Sequence, residues 1–262
     1  TKQEIGIKVM DVFFINDLTG WAVGIIEERK DESSIGMSGG RIKESGIIKH
    51  TTDGGKTWVT QYKESVSGNG YPDLVGVFFI NSDTGWVVGE SGTILHTADG
   101  GKHWEHQKSG NIKNSLKRVH FINSQEGWAT GYQFADHWTG IILNTKDGGK
   151  HWKVQHNLRD AALVDLHFTD ITTIWVSGHS ESGEVCALLH TTDGGKTWTE
   201  KRFKSIGYNH MAFLDKEQGI IYSLETGLTM ITKDGGKTWN KRRVPLKKHP
   251  WHFSEMFEKG KP

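Results

Sequence analysis

Short runs in which apolar and polar residues alternate recur along this chain, each closed by Gly, Asn or Asp. The first kind reads "VFFINDLTGWAVG" (12–24), "VFFINSDTGWVVG" (77–89), "VHFINSQEGWATG" (119–131), "LHFTDITTIWVSG" (166–178) and "MAFLDKEQGIIYS" (211–223). Each holds two extended stretches separated by a polar turn. An apolar pair follows: Ile47-Ile48, Ile94-Leu95, Ile142-Leu143, Leu188-Leu189 and Met230-Ile231. Next comes an octet and a last extended stretch such as "TWVTQYKE" (57–64). Runs this short, rich in Val, Ile, Phe, Thr and Trp, predict strands. No sustained 3.6-residue period appears, so very little helix is expected.

The octet is the most regular element. It reads "TTDGGKTW" (51–58), "TADGGKHW" (97–104), "TKDGGKHW" (145–152), "TTDGGKTW" (191–198) and "TKDGGKTW" (232–239). Its aspartates are Asp53, Asp99, Asp147, Asp193 and Asp234, at spacings of 46, 48, 46 and 41. Four antiparallel strands per unit of this length predict an all-β chain of the β-propeller type. Five blades are expected over about 8–64, 73–108, 115–156, 162–204 and 208–246, in one domain spanning 1–262. The tail 247–262 carries neither motif and is read as an extra strand or closing arm, with a sixth blade as the alternative.

The octet lies between the third and fourth strands of its unit, so it forms a hairpin loop. Its Asp is expected to accept backbone N–H groups two or three residues on, and its two Gly to take left-handed angles. The closing residues Trp58, Trp104, Trp152, Trp198 and Trp239 are large apolar anchors able to bury between sheets. Chemical readings fit less well. A calcium loop needs several carboxylates at alternating positions, and each octet offers one. A phosphate loop needs a Gly-rich turn that opens a helix. No catalytic residue, metal ligand or cofactor site is therefore assigned.

Composition adds three points. There are 33 Gly, 11 Trp and only 4 Pro, which suits tight turns between short strands. Net charge is +1, so no global polyanion surface and no nucleic-acid partner are expected. No apolar run approaches the roughly 20 residues of a membrane span. Cys186 stands alone, and the start "TKQEIGIKVM" shows no signal-peptide pattern.

The octet resembles the Asp-box, or bacterial neuraminidase repeat, found on β-propellers of sialidases, other glycoside hydrolases and sortilin-like receptors. The longer unit resembles the photosystem II stability/assembly factor family and its bacterial relatives over about residues 8–240. Departures are Ile174 before Trp175, Ile220 in place of the second-strand Trp, and His103 and His151 at the seventh octet position. The resemblance implies a monomeric, non-enzymatic scaffold for protein binding or assembly, in an exported location. The alternative it implies is a glycan-binding or glycoside-hydrolysing, sialidase-like propeller. Such enzymes use three Arg, a Tyr beside a Glu, and an Asp acid. Here the sole "R-I" pair is Arg41-Ile42, and no motif places Arg29, Arg118, Arg159, Arg202, Arg242 and Arg243 together.

Partner contacts are expected away from the octets, in the variable loops on the other face. The repeat accounts for nine of the 11 Trp, leaving Trp138 and Trp251. Trp138 falls in "GYQFADHWTG" (131–140) with Tyr132, Phe134 and His137. These rings either contact a partner or cap the third blade. Tyr71, Arg159, Arg202 and Tyr208 lie in the loops joining one unit to the next and complete the candidate partner-binding set. His137 and His179 occupy corresponding loops of adjacent units. The insertion "EERKDESSIGMSGGRIKESG" (27–46) suggests a mobile loop or a protruding hairpin. The run "KRRVPLKKH" (241–249) is the densest basic stretch, read as an outer strand and tail or as an anionic-partner site.

Overall fold

The computed structural model describes residues 3–29, 42–65, 73–108, 114–204, 206, 209–223 and 226–243. Tyr71, Tyr208, Trp251, the tail 247–262 and the centre of the insertion, 30–41, lie outside the described residues. Among those described, twenty strands form five four-stranded antiparallel sheets, and the one helical element is a short 3-10 turn at Glu90–Gly92.

Each sheet is a meander in chain order. The first holds β1 (Gln3–Phe14), β2 (Gly20–Arg29), β3 (Ile42–Thr51) and β4 (Val59–Glu64). The second holds β5 (Leu74–Phe79), β6 (Gly85–Gly89), β7 (Ile94–Thr97) and β8 (Glu105–His106). The third holds β9 (Ser115–Phe121), β10 (Gly127–Phe134), β11 (Trp138–Thr145) and β12 (Lys153–Arg159). The fourth holds β13 (Ala162–Phe168), β14 (Ile174–His179), β15 (Val185–Thr191) and β16 (Thr199–Lys204). The fifth holds β17 (His210–Phe213), β18 (Gly219–Tyr222), β19 (Leu228–Thr232) and β20 (Asn240–Arg243). The fold class is all-β, with five blades of the propeller type. The chain divides into two compact units, residues 1–131 with 142–154, and residues 132–141 with 155–262.

Burial follows position within a blade. β6 and β14 are buried throughout, whereas β16 and β20 are almost wholly exposed. Middle strands are covered on both faces, so they read as continuous apolar runs rather than alternating ones. In blade one the ladder between β2 and β3 continues as far as Arg29↔Ile42. The two ends of the insertion therefore form a paired hairpin stem.

In three of the blades one Phe organises the core. In the first unit Trp21 lies flat on Phe79 of the next blade, with ring centroids 3.5 Å apart, and Trp86 lies likewise on Phe121. In the second unit Trp175 stacks on Phe213 at 4.8 Å. The octet Trp of the Phe's own blade meets that ring edge-on: Trp104 on Phe79, Trp152 on Phe121, Trp239 on Phe213. The fully buried indoles are those of the second strands, Trp21, Trp86, Trp128 and Trp175. Among octet rings Trp152 is buried, and Trp58, Trp104, Trp198 and Trp239 are half-buried.

The octet loops are closed by their first and third residues. Thr51 Oγ1 donates to Asp53 Oδ1 (2.8 Å) and accepts the N–H of Gly55 (2.9 Å). Asp53 Oδ1 accepts the N–H of Thr57 (2.9 Å), and Oδ2 accepts its hydroxyl (2.6 Å). The carboxylate's bonds to Thr57 reach four residues on, and the backbone of Lys56, three on, also acts on it. Gly54 and Gly55, at φ 73° and 86°, curl the chain back beneath it. A short Asx turn with both the second and third N–H groups occurs in the loop between strands one and two. There Asn16, Asn81, Asn123, Asp170 and Asp215 each accept the N–H groups two and three residues on. The two loops are joined, as Gly54 N–H donates to Leu18 O and Gly100 N–H to Asp83 O. At the substituted octets an imidazole takes the hydroxyl's place, with His103 Nδ1 2.5 Å from Asp99 Oδ2 and His151 Nδ1 2.7 Å from Asp147 Oδ2. These hydrogen bonds hold Asp53, Asp99, Asp147 and Asp234 down at about 2; Asp193 is lowered in the same way.

Candidate partner-binding site

The second unit gathers four of the predicted contact residues around the start of β11. Tyr132 and Trp138 flank the turn between β10 and β11, and their rings stack with centroids 5.0 Å apart and 18° between planes. His179, at the end of β14, meets the Trp138 ring edge-on at 5.4 Å. His179 is buried, and its Nδ1 lies 3.0 Å from Ser180 O. Trp138 is thus held on two sides, which suits a ring that caps the blade. Phe134 points the other way in exposure, at 63%.

The next connection is pinned to the same strand. Asp160 N–H donates to Trp138 O at 2.8 Å. Asp160 sits at φ 58°, a left-handed angle that Asp tolerates better than most residues. The link between β12 and β13 is therefore a tight turn, placed beside the aromatic pair. Arg202 Nη2 donates to Arg159 O (3.0 Å), and Arg202 Nε donates to Glu200 Oε1 (2.5 Å). Arg159 and Arg202 are both exposed, so their guanidinium groups carry little desolvation cost. Arg159 and Asp160 approach only to 3.8 Å, both well exposed, an ion pair of small energetic weight.

Arg159 and Arg202, expected in the loops joining one unit to the next, lie in strands, Arg159 at the end of β12 and Arg202 within β16. Tyr132 and Trp138 stack, the turn after Arg159 is bonded to Trp138, and Arg202 is bonded to Arg159. Asp160 and His179 join this cluster on tertiary grounds. Asp160 carried a faint signal, as an Asp between two strand-like runs. His179 packs against Trp138. Among the described residues no helix is long and apolar enough to cross a membrane.

Comparison with known proteins decides the family. The family model for the photosynthesis system II assembly factor YCF48 matches residues 69–155 and 111–205, which together span more than half of the chain. The chain belongs to the YCF48 family. A BNR/Asp-box repeat model also matches residues 230–241. Comparison with curated proteins returns no match. Among solved structures, YCF48 from Cyanidioschyzon merolae aligns at 18% identity and a TM-score of 0.57, covering 94% of this chain and 89% of that one. The GH74 enzyme of Niastella koreensis aligns at 14% identity and a TM-score of 0.63, covering 89% of this chain and 38% of that enzyme. A Hadza microbial sialidase aligns at 14% identity and a TM-score of 0.53, covering 86% and 56%. At these identities the three structures establish a shared fold. Blades of the YCF48 type thus occur in a scaffold family and in glycoside hydrolases, so the fold alone does not choose between those roles.

Proposed function

We propose that this YCF48-family chain is a non-enzymatic, monomeric single-domain scaffold that binds a protein partner during assembly of a larger complex. The observation that supports it is the family match across residues 69–205, which includes the aromatic loop and the Arg159 turn. The contact surface we assign is Phe134 with the Tyr132–Trp138 pair, flanked by Arg159 and Arg202. An exposed Phe beside a fixed aromatic pair and two Arg has the composition of a binding hot spot. Tyr71 and Tyr208 belong to the same expected set. An exported location goes with this reading.

Crosslinking and pull-down from lysate of the source organism compare the wild type with Phe134→Ala and Trp138→Ala. The expected result is loss of the wild-type partner in both variants. Unchanged capture would remove the loop from the contact surface. Turnover of a fluorogenic sialoside or a β-glucan by the pure protein would overturn the non-enzymatic reading in favour of a glycan-directed one.

A further inference from the structure

We draw no further inference here: the strongest candidate, the exposed apolar patch along β1 at Ile7, Val9, Val12 and Phe14, carries none because nothing in the structure shows what covers it.

Discussion

Gln61 Nε2 donates to the carbonyl of Gly100 at 2.8 Å, tying the outer strand of blade one to the octet of blade two. Its Oε1 accepts the indole N–H of Trp21 at 3.2 Å. Gln107 repeats the bond to Gly148 O, and within the second unit Gln155 and Lys201 reach Gly194 O and Gly236 O. The octet is therefore both a loop staple and the acceptor for the preceding blade.

Gly101→Ala should destabilise the chain by about 2–4 kcal/mol, from a left-handed backbone angle forced on Ala and a lost interblade hydrogen bond. The added Cβ would stand 2.1 Å from Gln61 Oε1, at φ 86°. Adding Gln61→Ala should recover the clash component and leave the strain. Urea unfolding of the two single variants and the double variant measures both parts. Additive losses would show that the glycine is not required by Gln61.

Trp86→Ala should cost about 3–5 kcal/mol, and Trp104→Ala distinctly less. Trp86 is fully buried and lies flat on Phe121, whereas Trp104 is half-buried and meets Phe79 edge-on. Equal losses in thermal melts would contradict this ranking of the two tryptophans.

Stability should fall as pH drops from about 6.5 toward 4. Burial lowers His50 and His96, and lowers His190 to about 4. Each stacks on or tilts against the second-strand Trp of its blade, His190 on Trp175 at 3.7 Å. A histidine that resists protonation when folded contributes stability above its unfolded pKa, and this is lost as the unfolded chain takes up the proton. His190→Phe should flatten the decline across this window. An unchanged slope in denaturation curves from pH 7 to 4 would exclude the histidine.

A second decline should appear between about pH 4 and 2, from the octet carboxylates. Their depressed values mean that stability is present above the unfolded value and is lost as pH falls through about 2. Asp53→Asn combined with Asp234→Asn should reduce the slope there without altering the higher-pH decline. Circular dichroism along an acid titration separates the two.

The sequence alone determined the repeat, and with it the strand count per blade, the octet hairpins and the all-β class. It could do so because a short strand and its turn are local devices: Asp53, Gly54 and Gly55 act on a loop only a few residues long. It also singled out Trp138, because that indole breaks the repeat. Tertiary structure decided what each repeated residue touches. It placed Gln61 against Gly100 and Trp21 against Phe79, because contacts between blades join residues some forty to sixty positions apart and leave little trace in local spacing. It likewise set His179 against Trp138 and joined β16 to the start of β20 through Lys201 and Phe203. Those pairings depend on how neighbouring blades pack, which periodicity along one strand cannot encode.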